Sequence, residues 1–110
     1  MPEARPELLQ GTLDLLILQT LTPGPLHGWA ISKRIQQASG DTLTVGQGSL
    51  YPALYRLEAR GWIDGSDGQS AEGRRIKIYQ LTRAGRRQLA REVAGWRLLA
   101  AGVDSVLQGA

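Results

Sequence analysis

The sequence predicts a mainly α fold with one small β-hairpin and a long C-terminal helix. Segment 48–63, GSLYPALYRLEARGWI, has apolar residues at helical spacing and ends in a glycine followed by a strand-like run. Two strand-like segments, 62–66 and 74–81, flank a polar tip, and an apolar repeat then continues to residue 107. A short helix with a hairpin directly behind it is typical of a recognition helix with a wing.

Composition limits the class of protein. At 110 residues the chain forms one domain with a modest core, and its 42% hydrophobic and 21% charged residues are ordinary for a soluble protein. It has no cysteine and one histidine, which gives almost no basis for a disulfide, a metal site, a cofactor or an enzyme. The N-terminal residues are too charged for a signal peptide, and no apolar run approaches the roughly 20 residues of a membrane span. We therefore expect a cytoplasmic protein without membrane contact.

Basic residues are concentrated in one part of the chain. The net charge is only +3, but eight of the thirteen basic residues lie between residues 74 and 97, where the one acid is Glu92. They are Arg74, Arg75, Lys77, Arg83, Arg86, Arg87, Arg91 and Arg97. Such a stripe is typical of a phosphate-binding surface, although a solvated helix face is the simpler interpretation for Arg91 and Arg97.

The first predicted helix, Glu7 to Leu21, is apolar on nearly every side. One face carries Leu9, Leu13, Leu16, Ile17 and Leu21, and the opposite side carries Leu8, Leu15 and Leu18. A helix of this kind must be buried nearly all round. Because a domain of this size offers little second layer, we expect a second chain to cover Leu15 and Leu18.

A second helix is predicted from His27 to Ser39, after a proline-rich turn. Its core-facing residues are Ile31, Ile35 and Ala38, whereas Trp29 and Lys33 point away from the core. His27 stands at the start and can cap the helix. Residues 40–46 form the turn into the recognition helix.

The recognition helix has one apolar face and one face rich in hydrogen-bond donors. Leu50, Ala53, Leu54 and Leu57 recur at i, i+3, i+4 and i+7, and the opposite face carries Ser49, Tyr51, Tyr55 and Arg56. Thr44 with Gln47 fits a capping box, whereas Ser49 would cap a shorter helix. Since Pro52 favours a late start, we expect the helix to begin near residues 46–48, with its first turns loosened at Pro52. On this segment alone, an ordinary core helix with a solvated face is an equal alternative.

Gly61 ends that helix, and two antiparallel strands are predicted behind it, Trp62 to Ser66 and Arg74 to Leu81, with residues 67–73 as the tip. Tyr79 and Leu81 lie at the base, where they can reach the core. The basic residues Arg74, Arg75 and Lys77 lie toward the tip, where only solvent or a polyanion can pair them. Most basic hairpins are simply solvated, but one placed directly after a recognition helix is typical of a wing.

The last helix follows Thr82, its predicted N-cap, and runs to about residue 107. Apolar residues recur along it at spacings of three and four, namely Leu89, Val93, Trp96, Ala100, Val103 and Leu107. At about 1.5 Å per residue the helix approaches 40 Å, longer than the domain before it. This apolar seam predicts a homodimer, with residues 1–81 as a DNA-binding domain and residues 82–110 as a dimerisation helix. The alternative is a helix that folds back on its own domain.

Four motifs in order resemble the PadR-like family of transcriptional regulators. They are GTLDLLILQTL (11–21), PLHGWAISKRI (25–35), GSLYPALYRLEARGWI (48–63) and GRRIKIYQLTRAG (73–85). The likeness covers nearly the whole chain, and the single C-terminal helix is similar to the short branch of the family. Trp29 and Trp62 depart from the more usual tyrosine and smaller aliphatic residue, and neither is a DNA-facing position.

The resemblance implies a winged helix-turn-helix homodimer, usually a repressor, that binds an inverted-repeat operator in double-stranded DNA. It places Tyr51 at the front of the recognition helix and Gly73, Arg74 and Arg75 at the start of the second wing strand. It does not identify an effector. The alternative function is a DNA-binding or adaptor module without a small-molecule ligand, controlled by a protein partner or by its abundance.

We expect the DNA contacts to divide between base reading and positioning. Gln47, Ser49 and Tyr51 would enter the major groove, with Gln47 as the reader of a base edge. The residues expected to hold the DNA backbone are Lys33, Tyr55 and Arg56, together with Arg74, Arg75 and Lys77 of the wing, which would reach the backbone or the minor groove.

Trp96 allows two interpretations. Paired with its symmetry mate across a dimer, it would form a slot for a small flat aromatic ligand, whose binding would release the DNA. The simpler alternative is that Trp96 fills the dimer core, packed against Leu9 or Leu16.

Overall fold

Four α-helices and a three-stranded sheet make up the fold. The structure, a computed structural model, describes residues 8–109, so the predicted first residue of the first helix, Glu7, lies outside the described residues. The elements in chain order are α1 (Gln10–Thr20), β1 (Leu26–His27), α2 (Gly28–Ala38), α3 (Gln47–Ala59), β2 (Ile63–Gln69), β3 (Arg75–Leu81) and α4 (Arg83–Leu107). The predicted α+β class, with a long C-terminal helix, is confirmed.

α1 supplies the centre of the core. Leu9 is its extended N-cap residue and is exposed, so the helix begins later than predicted. Leu13, Ile17 and Leu18 are almost completely buried, and the expectation that Leu18 faces a second chain is therefore wrong. The reason is that α2, α3 and α4 all pack against α1 and bury more of its circumference than a domain of this size was expected to. Leu15 remains partly exposed.

The start of α2 is capped by a side chain, as predicted. Nδ1 of His27 accepts a hydrogen bond from the backbone N–H of Ala30 at 3.3 Å. Trp29 and Lys33 are exposed, also as predicted. Ala38 was expected in the core but is exposed, because it is the last residue of α2 and the chain turns away there.

The turn between α2 and α3 is held by a buried hydroxyl that the sequence pattern did not indicate. Ser32 is buried, and its Oγ donates a hydrogen bond to the backbone carbonyl of Val45 at 2.9 Å. Val45 is itself part of the hydrophobic core. These contacts fix the angle at which α3 leaves the turn.

α3 begins within the predicted range. Its first residue is Gln47 and its N-cap is Gly46, and no side chain caps it, so neither proposed cap is used. The helix is continuous through Pro52, and the predicted loosening is absent. Pro52 lies in the second turn, so it removes only one backbone hydrogen bond, to the carbonyl of Gly48. The apolar face is buried as predicted, at Leu50, Ala53, Leu54 and Leu57.

A hairpin follows α3 after Gly61, whose φ of 76° suits glycine and ends the helix as predicted. β2 and β3 pair antiparallel from Ile63 and Leu81 at the base to Gln69 and Arg75 at the far end. β2 is longer and the tip shorter than predicted, since residues 67–69 pair with β3, whereas β3 begins one residue later than predicted.

The two-residue strand β1 was not predicted. It pairs with the outer side of β3, which gives the sheet order β1-β3-β2. Because Leu26 lies opposite Tyr79, this strand closes the edge of β3 just before α2 begins. Tyr79 and Leu81 are buried, as predicted for the base of the hairpin.

Thr82 joins the start of α4 to the end of α3. Its Oγ1 accepts a hydrogen bond from the backbone N–H of Gly85 at 2.9 Å and donates one to the carbonyl of Gly61 at 2.7 Å. The predicted N-cap is confirmed. Glycine is needed at position 85 because a Cβ there would overlap the carbonyl oxygen of Trp62.

We expect Thr82→Ala to lower the free energy of unfolding by about 1 to 2 kcal/mol, because the helix loses its N-cap and Gly61 loses a donor. Thr82→Ser keeps the hydroxyl and should stay within about 0.5 kcal/mol of the wild type. Urea unfolding followed by circular dichroism measures both. An equal loss in the two variants would show that the hydroxyl is not the stabilising group.

Candidate nucleic-acid interface

The outer side of α3 is an open surface of hydrogen-bonding side chains. Gln47, Ser49, Tyr51 and Tyr55 are all exposed, and Tyr55 is 76% exposed. The inner side of the helix is buried in the core, so the orientation of this surface is fixed by packing. Amide and hydroxyl groups of this kind can donate to base edges and to phosphate oxygens. Lys33 on α2 is exposed as well.

Tyr51 and the basic residues of the wing line one cleft. The cleft has a volume of about 710 Å³ and lies between the start of α2, the front of α3 and β3. Its lining includes His27, Trp29, Tyr51, Arg74, Arg75 and Lys77, of which the first two were not predicted at this site. In the sequence, only the position of His27 and Trp29 at the start of α2 could have indicated that they line this cleft. Gln47, Ser49, Tyr55 and Lys33 do not line the cleft.

A glycine allows α2 and α3 to meet closely at this cleft. A Cβ on Gly28 would lie 3.1 Å from Cε1 of Tyr51 and 3.4 Å from its hydroxyl oxygen. A larger residue would therefore push the Tyr51 ring away from the position that it occupies. The sequence HGW at the start of α2 thus sets the position of a predicted DNA-contact residue on α3.

Lys77 is held by an acid on α3. Its Nζ lies 2.8 Å from Oε1 of Glu58, whose Oε2 accepts a hydrogen bond from the backbone N–H of Gly65 on β2 at 3.2 Å. The expectation that only solvent or a polyanion could pair Lys77 is wrong. This hydrogen bond lowers the pKa of Glu58 and raises the pKa of Lys77. Glu58 therefore fastens both strands of the wing to α3.

Arg56 is turned toward the core instead of toward solvent. Its Nη2 donates to Oδ1 of Asp14 on α1 at 2.9 Å, and Asp14 is only 4% exposed. Arg56 was predicted to hold a phosphate, but its guanidinium is already paired with the carboxylate of Asp14. Burial raises the pKa of Asp14, and the hydrogen bond and positive charge of Arg56 oppose that rise. The pair joins α1 to the recognition helix.

The two halves of α4 have different environments. In the first half, Leu89 is buried in the chain's own core and Val93 packs against that core, so Leu89 has no surface left for a partner. The second half carries a wide exposed apolar surface. Its members are Val103 and Leu107 of the predicted seam together with Leu98, Leu99 and Val106, which were not predicted, while Ala100 is half-buried.

Trp96 lines a groove between α1 and α4. The groove has a volume of about 520 Å³, and its apolar lining includes Leu9, Leu15 and Leu99. Trp96 is 47% exposed. Leu9 therefore shares the groove with Trp96, as one of the two interpretations requires, whereas Leu16 is not part of its lining.

Residues 8–109 contain neither a candidate metal site nor a candidate membrane-spanning helix. No group of three or more His, Cys, Asp or Glu side chains is arranged there to hold a metal ion. Within the same range, no helix combines the length and the apolar character that crossing a membrane requires.

Known proteins are similar to this chain in sequence and in fold. The model of the transcriptional regulator PadR-like family matches residues 17–91. A transcriptional regulator from Mycobacterium tuberculosis is 33% identical over 106 residues, which cover 87% of this chain and 95% of that protein. An uncharacterised 37.1 kDa protein in a transposon of Streptomyces fradiae is 46% identical over 79 residues, covering 72% of this chain but only 21% of that longer protein.

The fold agrees with that of solved relatives. The crystal structure of a PadR-like transcriptional regulator from Bacillus cereus superposes with a TM-score of 0.76 at 30% identity, covering 93% of this chain and 97% of that one. The family match spans more than half of the chain and includes α2, α3 and the wing. The chain therefore belongs to the PadR-like family of transcriptional regulators, which bind DNA and are not enzymes.

Proposed function

We propose that this chain acts as a homodimeric repressor that binds an inverted-repeat operator through α3 and the wing. The observation that best supports this is the cleft that Tyr51 of α3 lines together with Arg74 and Arg75 of the wing. It offers donors for bases and for phosphates on one side of the molecule. Two such units related by a two-fold axis would match the two halves of a palindromic site.

In this proposal Gln47 reads a base edge and the surrounding side chains fix the register. The residues proposed to contact DNA are Lys33, Gln47, Ser49, Tyr51, Tyr55, Arg74 and Arg75. Arg56 and Lys77 are left out, because Asp14 and Glu58 already pair with them. Their proposed role is to hold α3 and the wing in the orientation that presents the other seven.

Dimerisation is proposed through the second half of α4. Leu98, Val106 and Leu107 are each more than 75% exposed in the single chain, and Leu99 and Val103 extend the same surface. Soluble monomers rarely leave a contiguous apolar surface of this kind uncovered. The groove between α1 and α4 supplies a second apolar surface for the partner helix. Residues 1–81 would form the DNA-binding domain and residues 82–110 the dimerisation helix, whose first turns also belong to the core.

The two classes of DNA contact should separate by mutation. Arg75→Ala removes a phosphate partner, so we expect affinity for all sequences to fall similarly and the plot of log K against log salt to flatten by about one unit per protomer. Gln47→Ala removes base readout, so the preference for operator over random DNA should shrink by about 1 to 3 kcal/mol. Fluorescence anisotropy with DNA from upstream of the chain's own gene measures both.

Arg75→Lys is the matched control for the first variant. It keeps the charge, so its salt dependence should stay close to that of the wild type. If Arg75→Ala left both affinity and salt dependence unchanged, the wing would not be part of the contact surface.

A small aromatic effector is the second part of the proposal. In a dimer, two Trp96 side chains near the two-fold axis would hold a flat ligand by stacking, and its insertion would change the angle between the protomers. We expect planar aromatic compounds to quench tryptophan fluorescence in the wild type and not in Trp96→Leu. Trp29 and Trp62 remain in both proteins and report non-specific quenching. Equal quenching in both would remove Trp96 from any binding site.

The alternative function is a DNA-binding or adaptor module without a small-molecule ligand. Trp96 is 47% exposed in the single chain, and in this alternative the partner helix covers it. Trp96 would then fill the dimer core together with Leu9. A thermal-shift screen in which no planar aromatic compound raises the melting temperature would support this alternative.

A further inference from the structure

One face of α4 carries a row of arginines that form no salt bridge within residues 8–109. Arg83, Arg86, Arg87 and Arg97 are exposed, and at about 100° per residue they fall on one side of the helix. We call these four residues the arginine face. Arg91 lies at its edge, where it also lines the groove of Trp96. The two salt bridges found among residues 8–109 involve Arg56 and Lys77, and so neither involves the arginine face.

These charges do not stabilise the helix that carries them. Arg83 is the first residue of α4, Arg86 and Arg87 follow closely, and the first turn contains no acid. Cations are unfavourable at the positive end of the helix dipole. Arg83 also stands at i,i+3 and i,i+4 to the other two, where like charges repel. A merely solvated face would mix charges of both signs, but between Arg83 and Arg97 the one acid, Glu92, lies on the opposite side of α4 and is bonded to Gln88. Asp104, the other acid of α4, falls on the side of the arginine face but lies about two turns beyond Arg97. The arrangement therefore indicates an anionic partner.

The arginine face lies far from the proposed operator contacts. α4 starts at the base of the hairpin, where Ile63 pairs with Leu81, and the wing tip is six residue pairs away, roughly 20 Å. Through Thr82 and Gly61 the start of α4 also adjoins the C-terminal end of α3, whereas Gln47 lies at the other end of that helix. The arginine face therefore lies away from the DNA segment that Gln47 and the wing tip contact.

We propose that the arginine face binds the phosphate backbone of DNA outside the segment contacted by α3 and the wing. From Arg83 to Arg97 the face extends roughly 21 Å, so its partner must present anions at short intervals over that length. A duplex carries about one charge per 1.7 Å of its axis and meets this requirement in any sequence. The proposal rests on the proposed function, because a protein already bound to DNA meets further DNA at high effective concentration. The source is either the flank of the same duplex or a second duplex.

The test compares the wild type with the triple variant Arg83→Gln, Arg86→Gln, Arg87→Gln. On a duplex of about 20 base pairs, the span of two half-sites, both proteins should bind with the same salt slope. In the first arm, a duplex about four times as long is used, and only the wild type should bind it more tightly than the short duplex. In the second arm, protein on an immobilised short duplex is offered a second labelled duplex, and only the wild type should capture it. We expect the triple variant to lose the capture and to lower the salt slope on the long duplex by about two to three units per protomer. The long-duplex arm and the capture arm distinguish the flank from a second duplex.

A triple lysine variant at the same three positions is the control. Because lysine keeps the point charge, this variant should retain most of the added affinity for the long duplex and most of the capture of the second duplex. Circular dichroism should show both triple variants folded, with the glutamine variant melting no lower than the wild type. The proposal is overturned if the wild type neither binds the long duplex more tightly nor captures the second duplex, or if the glutamine variant does so equally. It is also overturned if the arginine face binds a polyglutamate peptide but not DNA. Failure of the proposed function would appear separately, as loss of binding to the short duplex.

Discussion

Replacement of Asp14 by leucine is expected to lower the free energy of unfolding by about 2 to 3 kcal/mol, because the guanidinium of Arg56 then loses its acceptor. The Arg56 side chain is 28% exposed, so water recovers part of the loss. Asp14→Asn keeps an oxygen that can accept from Arg56 and should stay within about 1 kcal/mol of the wild type. Guanidinium chloride unfolding compares the three proteins. Equal destabilisation by both substitutions would show that the negative charge, and not the hydrogen bond, is what matters.

The double variant Asp14→Leu, Arg56→Met separates a structural role of Arg56 from a role in DNA binding. Replacing both partners of a buried ion pair with apolar residues is often close to neutral, so stability should largely return. If Arg56 acts only through the fold, the double variant should bind DNA about as well as the wild type. Weak binding by a stable double variant would restore Arg56 to the set of phosphate contacts.

The same pair makes stability depend on pH. Burial raises the pKa of Asp14 above that of the unfolded chain, despite the opposing effect of Arg56. The folded state therefore binds the proton more tightly, and the resulting stability is fully present below the ordinary aspartate pKa. It is lost as the pH rises through the raised pKa of the folded state. Asp14→Asn should lack this change.

Local periodicity was sufficient to predict the parts of the fold that a helix or hairpin builds on its own. The apolar face of α3, the cap at Thr82 and the strand bases at Tyr79 and Leu81 follow from spacing along one element. β1 could not be predicted, because two residues show no alternation and are ordered only by pairing with β3. The burial of Leu18 depends on how three helices surround α1, which no pattern within α1 contains.

The sequence could predict members of the candidate site only where a residue's availability depends on exposure alone, and not on a distant partner. Gln47, Tyr51 and Arg75 were predicted on the outer sides of their elements, and all three are exposed. Arg56 has the same spacing as the exposed residues of α3, but its acceptor lies 42 residues earlier in the chain. Lys77 likewise depends on an acid 19 residues away. Sequence composition shows that such charges exist, and only the tertiary fold shows which of them neutralise each other.

The proposed dimer is better tested by a point substitution than by a deletion. Deleting residues 88–110 would remove the proposed dimer surface, but it would also remove Leu89 from the core of the single chain. Loss of dimers in such a protein could then follow from unfolding. Val103 avoids this problem because it is 46% exposed in the single chain and lies in the middle of the apolar surface of α4.

Val103→Asp is expected to convert the proposed dimer to a monomer and to weaken binding to the proposed operator by about 10²- to 10⁴-fold, because the second half-site then gains nothing from the binding of the first. The introduced carboxylate would have to be buried without a partner in the dimer, which is unfavourable by several kcal/mol. Ala101→Asp is the matched control, since it adds the same charge to an exposed position on the opposite side of α4 and should leave the dimer intact. Light scattering gives the mass of each variant, anisotropy gives the affinity, and circular dichroism checks that both are folded. If Val103→Asp remained a dimer with full affinity, the second half of α4 would not be the interface, and the two recognition helices would have to be joined through another surface.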